Sequence, residues 1–515
     1  MQKCSLLAVG FLWLVGCVSS PSSITKTQSQ TPTAIPVVTT TPITLIPSVI
    51  ATGTPIFTLT SVPAATIPPL PPTPTLQALF GRTLRVSVAS DGAPANATSE
   101  APALSTDGRY VAFVSFASNL VAGDTHQCVS PLSGQTRSCA DIFVHDRQIG
   151  MTKRVSVSSA GGQSDADNGI VTEAGSHVSI SANGRWIAFH SFATNLVTGT
   201  VNTQTQIFVH DQLTGQTTRI SATHDGQPGN GASLWPTISG DGRYVAFISE
   251  AYNLAPNDKQ GQCLLKQCSE IFVYDRQTGQ TELVSLSSDG VRGNMRSGYW
   301  YAPSLSTEGR YVAFWSEASN LVANDTNQVA DIFVRDRQTG QTERISVASN
   351  GAQANGESFC MSLSGDGRYV AFVSKASNLV DNDTNRMDDV FVHDRQSKTT
   401  SRISVASDGA QANENSSCSS ISVGGRFVVF ASAASNLVSN DTNSLSDIFL
   451  YDRQTSRIER VSIAGDGAQA NGVSTSPSVS TDGRVVAFSS LASNLAPSDT
   501  NQRWDIFVHE RAMEP

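Results

Sequence analysis

The feature that most constrains this chain is a Gly-Arg turn that returns seven times. It stands at Asp107-Gly108-Arg109, Asn183-Gly184-Arg185, Asp241-Gly242-Arg243, Glu308-Gly309-Arg310, Asp366-Gly367-Arg368, Gly424-Gly425-Arg426 and Asp482-Gly483-Arg484. Successive glycines are 76, 58, 67, 58, 58 and 58 residues apart, so the unit is 58 residues and two units carry insertions of 18 and 9. Each unit holds four short runs rich in β-branched and aromatic residues; in the fifth they are MSLS, RYVAFVS, DDVFVHDR and TSRISVAS. Bounded by Gly, Asn, Asp and Ser, such runs are strands joined by tight turns. One four-stranded sheet leaves apolar faces in water, whereas seven packed radially cover one another. The expected fold is all-β, a seven-bladed β-propeller of four-stranded blades over residues 81–515.

The chain ends test this expectation. The last unit finishes at WDIFVHERAMEP, with three runs and no fourth, while TLRVSVAS at Thr83–Ser90 matches TERISVAS at Thr342–Ser349. The amino-terminal strand is expected to complete the last blade, which removes an open sheet edge. At LSGDGRYVAFVS and DIFVRDRQTGQT the repeats resemble those of the TolB family and, more loosely, WD-repeat propellers. The resemblance covers all seven units and implies the fold; propellers serve many activities, so it leaves function open.

Ahead of the repeats lie two other segments. Met1–Lys3 carry one positive charge and Ser5–Gly16 are apolar, a pattern of an export signal too short to span a bilayer. Leu14-Val15-Gly16-Cys17 resembles the lipobox of bacterial lipoproteins, which implies cleavage after residue 16 and acylation of Cys17. Residues 17–80 then form a stalk: Pro21–Phe80 holds 12 of the 22 prolines and one charged residue, Lys26. Proline fixes φ and lacks a donor, so this stretch favours extended chain and builds no core. The expected location is the cell envelope, on the extracytoplasmic side of a bacterial membrane. A formal charge of −9 without a basic patch excludes nucleic acid as the expected partner.

Most recurrent residues have structural explanations. Leu104, Ile180, Ile238, Leu305, Leu363, Ile421 and Val479 share one position of the first strand and read as inter-blade core. The seven turn arginines and the acids Asp146, Asp211, Asp275, Asp336, Asp394, Asp452 and Glu510 fall on neighbouring strands and read as ion pairs. His145, His210, His393 and His509 occupy equivalent positions in different blades, which point apart, so no metal cluster is expected of them.

Function is sought in the loops, because binding residues concentrate on variable loops held by a rigid scaffold. One face has tight connections, the Asp-Gly turn and DRQTGQT; the other has long ones, such as SDGAQANENSS and ASNLVANDTNQ. The insertions fall on the second face, between Asp124 and Asp141, between Asp258 and Glu270, and ahead of Asn183 and Glu308. Trp235, Tyr299, Trp300, Tyr301 and Phe359, with His177, gather near the first strands of consecutive units. They are ligand-binding candidates, able to stack on sugars or anchor a peptide, with packing between blades as the alternative.

Cysteine usage suits an oxidising compartment. Cys128 with Cys139, and Cys263 with Cys268, share inserted loops and read as staples. Cys360 and Cys418 are 58 residues apart, at one site in adjacent blades, where they either bridge or remain free thiols. A calcium ion is considered for Asp325, Asn327 and Asp331, repeated as Asp383, Asn385 and Asp389, as Asp441, Asn443 and Asp447, and as Asp499, Asn501 and Asp505. Hard oxygen ligands at alternating positions suit calcium, and the pattern resembles a shortened calcium loop of integrin-type propellers. In the second unit Gly199 and Gln206 replace both acids, which fits a shared ion or a direct hydrogen-bond network. No other cofactor is expected.

The expected function is an envelope-anchored, surface-displayed binding module, monomeric, that holds a protein, peptide or glycan on its long-loop face. The alternative is a propeller hydrolase or lyase acting at the channel mouth, for which Glu100 and Glu357 are the candidate acids. Against it, the chain has no GxSxG nucleophile elbow and no following α/β domain.

Overall fold

The computed structural model describes residues 81–129, 136–171, 175–199, 204–255, 269–299, 301–497 and 499–512. The export signal, Cys17 and the stalk lie outside them, as do Cys263, Cys268 and Trp300. Seven antiparallel four-stranded sheets form the blades of a β-propeller. In blade 5 the strands are Ser358–Leu363, Tyr369–Ser374, Asp389–Asp394 and Thr399–Arg402. The middle two are covered on both faces, which is why they read as near-continuous apolar runs; the fourth alternates, as an outer strand covered on one face does. Each blade stacks one Phe from its second strand on one from its third, as in Phe372 and Phe391 at 5.9 Å.

The ring closes as the end-matching predicts. Arg82–Arg85 pairs antiparallel with the strand Asp505–Glu510, Leu84 opposite Val508. Side chains repeat the pattern of uninterrupted blades: Thr83 meets His509 at 2.8 Å as Thr400 meets His393 at 2.9 Å, and Ser87 donates to Asp505 at 2.6 Å as Ser462 does to Asp447. These contacts hold the histidines of the third strands within their own blades. First strands of neighbouring blades pack against one another around the axis. There Cys360 and Cys418 form a disulfide between blades 5 and 6, with Cα atoms 5.2 Å apart.

On the tight-turn face the Gly-Arg turn proves to be a contact between blades. Gly367 has φ +74°, and a Cβ on it would lie 2.1 Å from Cδ2 of Tyr311 in the preceding blade. Two guanidiniums reach that ring, Arg310 of its own turn at 4.8 Å and Arg395 of the next blade at 4.3 Å. Turn arginines pair with their acids at 2.7 Å in six blades, as in Arg310 with Asp336. The seventh pair differs from expectation. Blade 7 has Val485 in place of the ring, so Arg147 of blade 1 has nothing to stack on and reaches Glu510 across the closure.

The insertion between Asp124 and Asp141 forms a hairpin of Gln127–Val129 and Thr136–Ser138, stapled by a Cys128–Cys139 disulfide. The extensions ahead of Asn183 and Glu308 break into the first strands of blades 2 and 4, leaving Ser179–Ile180 and Ser304–Leu305. In blade 2 the extension folds into a short ladder of Ile170–Val171 with Gly175–Ser176.

Gly409 also has positive φ, +89°, with nothing within 4 Å of its would-be Cβ. Ala at Gly409 therefore meets only the left-handed backbone cost of about 1–2 kcal/mol. Gly367→Ala adds overpacking against Tyr311, a further cost of roughly 1–3 kcal/mol. Thermal unfolding of the two variants should rank them in that order, and equal melting temperatures would refute the ring contact.

Candidate functional site

The long loops are largely self-satisfied. The Asn355 backbone N–H donates to Asn378 Oδ1 at 3.0 Å, the Ser377 N–H to Asn355 Oδ1 at 2.9 Å, and the Asn378 amide to the Gln353 carbonyl at 2.9 Å. The same clamp joins Asn413 with Asn436 and Asn471 with Asn494. Repeated asparagines thus frame the loops, and the residues left to meet a ligand are those that depart from the repeat.

The repeated acids are also structural. Arg402 of the fourth strand lies 3.1 Å from Asp383 and 3.3 Å from Asp389, and the Asn385 amide donates to Asp389 at 2.9 Å. Arg344 serves Asp325 and Asp331, with Asn327; Arg460 serves Asp441 and Asp447, with Asn443; Arg85 serves Asp499 and Asp505, with Asn501. Burial pushes Asp383 above the usual carboxylate range and Arg402 opposes this. A guanidinium between both carboxylates already supplies the positive charge, so this donor set does not fit calcium. Blade 2 accounts for the joint loss: neutral Gln206 accepts from Ser221 at 2.8 Å where other blades place an acid. The melting temperature should be the same in a calcium chelator and in millimolar calcium; a rise with calcium would restore the ion.

Two of the aromatic-cluster candidates turn inward. Trp235 is only 6% exposed. It sits at φ +55° in the irregularity between Leu234 and Thr237 and packs with the core of blades 3 and 4. There it lies 5.3 Å from His177, whose Nε2 meets the Pro236 carbonyl at 2.9 Å, and 6.2 Å from His190. Trp235 is therefore packed inside, beside a half-buried His177. His190 carries no repeat signal that sequence could flag. Neither of its ring nitrogens makes a hydrogen bond of normal geometry. Burial, then the neighbouring His177, depress its pKa to about 3, and burial lowers His177 to about 4.

The remaining described candidates lie on blades 4 and 5, Tyr299 exposed and Tyr301 and Phe359 half-buried. Tyr301 and Phe359 stack at 5.5 Å, Lys375 stands 5.5 Å from the Phe359 centroid, and it pairs with Glu357 at 3.0 Å. Burial, then Glu357 and Asp388, push the Tyr301 hydroxyl up to about 12, so it stays a donor. Tyr299 is 39% exposed under Arg296, which pairs with Glu317 at 2.8 Å. Lys375, Arg296 and Asp388 complete this patch and escaped sequence reasoning, since single charges on loops carry no pattern. Glu100 takes Ser176 at 2.9 Å in blade 1, well round the ring from Glu357, so the two candidate acids form no pair.

These features define a closed propeller with one aromatic, charge-bearing patch on its long-loop face. No family model and no curated protein matches the chain. Among solved structures it is similar to an oligogalacturonate lyase in complex with manganese, at 11% identity and TM-score 0.49 over 84% of this chain and 94% of that one. It is also similar to the β-propeller domain of the Trilobed protease from Pyrococcus furiosus, at 12% and 0.46 over 81% and 98%. For TolB from Acinetobacter baumannii the values are 14% and 0.35 over 72% and 76%. Identities this low carry no information about activity.

His190 yields a pH prediction. Its folded pKa lies below the ordinary 6.5, so between about pH 6.5 and 3 the unfolded chain binds a proton the fold excludes, and stability falls with pH across that window. His190→Ile, the residue blade 3 carries at Ile248, removes this penalty. The variant should match the native chain near pH 7.5 and exceed it by about 2 kcal/mol at pH 5. A pH-independent difference would refute the assignment.

Proposed function

We propose that this protein is an envelope-anchored, surface-displayed binding propeller that holds a protein, peptide or glycan on its long-loop face. The observation that carries this reading is the patch of Tyr301, Phe359, Lys375 and Glu357 with exposed Tyr299 beside it. Stacked rings with a cation and a carboxylate at their edge offer an apolar platform plus directed polar contacts, the combination that recognises sugar faces and peptide side chains. Anchoring through an acylated Cys17 rests on the lipobox-like sequence, and the Cys128–Cys139 and Cys360–Cys418 disulfides suit the oxidising side of a membrane. The chain acts in this reading as a monomer without a cofactor.

The test is retention of glycan arrays and immobilised envelope proteins by the full chain. Tyr299→Ala and Lys375→Glu alter exposed groups, so melting temperature should hold while binding weakens about tenfold or more. Unchanged retention in both variants would remove the long-loop patch as the binding surface.

A further inference from the structure

On the tight-turn face the junction between blades 1 and 2 departs from the repeat in its own way. In every other blade the residue after the third-strand acid is arginine: Arg147, Arg276, Arg337, Arg395, Arg453 and Arg511. Where the preceding blade offers a ring, this arginine covers it, as Arg276 covers Trp186 at 3.5 Å and Arg337 covers Tyr244 at 4.3 Å. Three of these arginines also pair with a glutamate of the preceding fourth strand: Arg337 with Glu282, Arg395 with Glu343 and Arg511 with Glu459. Between blades 1 and 2 both partners are replaced. Gln212 stands for the arginine and keeps its hydrogen bond to the carbonyl of the turn glycine, here Gly184, while Lys153 stands where three blades carry glutamate.

Gln212 is shorter than the arginine it replaces, and at this junction the two blades line a groove of about 290 Å³ that includes Tyr110. Three further departures from the repeat line it. Ile149 replaces the Thr or Ser of blades 2–6, Met151 replaces their polar residue, and Leu213 replaces the usual glutamine. These side chains are 62%, 40% and 73% exposed. They are three of the nine large apolar side chains that are exposed among the described residues, gathered on one groove. The neighbouring charges cancel, Arg109 with Asp146 and Arg185 with Asp211, each at 2.7 Å. Among the described residues Lys153 has no ion-pair partner, in a chain whose formal charge is −9.

We infer that this groove is a docking site for an extended segment of a partner protein that presents apolar side chains around a carboxylate. The rings and aliphatic groups take the apolar side chains, and Lys153 takes the acid. Charge complementarity selects this occupant: a basic segment would meet an uncompensated ammonium where three other junctions offer glutamate. The groove lies on the face opposite the patch of Tyr301 and Phe359, so the two sites stand or fall separately.

The test uses the full chain and an array of short peptides that set Leu, Ile or Val around a central Asp or Glu, each beside its lysine counterpart. The native chain should retain acidic peptides over lysine ones. Lys153→Glu installs the residue that blades 3, 4 and 6 carry there and should reverse that preference. The combined Ile149→Thr, Gln212→Arg, Leu213→Gln variant restores residues that other junctions accommodate; it should bind about tenfold or more weakly with an undiminished melting temperature. Tyr299→Ala should leave this binding unchanged. Equal retention of acidic and lysine peptides, persistence in the combined variant, or binding seen only to anionic phospholipid vesicles would each overturn the proposal.

Discussion

No blade of this protein can cover its own faces, so the structure depends on the contact each blade makes with its neighbour. At the tight-turn face that contact is a glycine of one blade set flat against an aromatic ring of the one before. Only glycine combines positive φ with the absence of a Cβ that would strike the ring, as Gly367 against Tyr311 shows. An arginine from each of the two blades reaches the ring, and both pair with carboxylates of the ring's own blade. Near the axis, the disulfide between Cys360 and Cys418 joins two wedges directly.

Closure works differently, by pairing the amino-terminal strand into the last blade. The amino-terminal strand supplies hydrogen bonds and side chains that a contiguous fourth strand supplies elsewhere, down to the Thr83–His509 and Ser87–Asp505 pairs. The strand Asp505–Glu510 is thereby paired on both sides, as the third strand of every other blade is. Rigid blades then leave variation to positions where side chains reach solvent, and both surfaces argued above consist of residues that break the repeat. The stacked Tyr301 and Phe359 break it on one face; Ile149, Gln212 and Leu213 break it on the other.

The repeated loop acids show how a pattern can mislead when its partner is distant in sequence. Asp383, Asn385 and Asp389 look like cation ligands when read along the chain. The fold brings Arg402 from the fourth strand between them, and a buried acid pair with a resident guanidinium needs no metal to balance it. The same holds for Trp235, whose exposure was decided by an irregularity in strand pairing that turned its ring toward His177 and His190.

Periodicity alone determined the number of blades, their four strands, the two kinds of face and the strand that closes the ring. Those properties follow from local turn chemistry and from apolar runs whose spacing repeats, and both are visible along one dimension. The tertiary structure decided which side chains face water. Whether an aromatic residue becomes a wall of the core or a surface for a ligand depends on which neighbouring blade lies over it. That neighbour's contribution comes from the next blade, as Arg395 does for Tyr311, so only the assembled ring shows that Tyr110 and Gln212 line one groove.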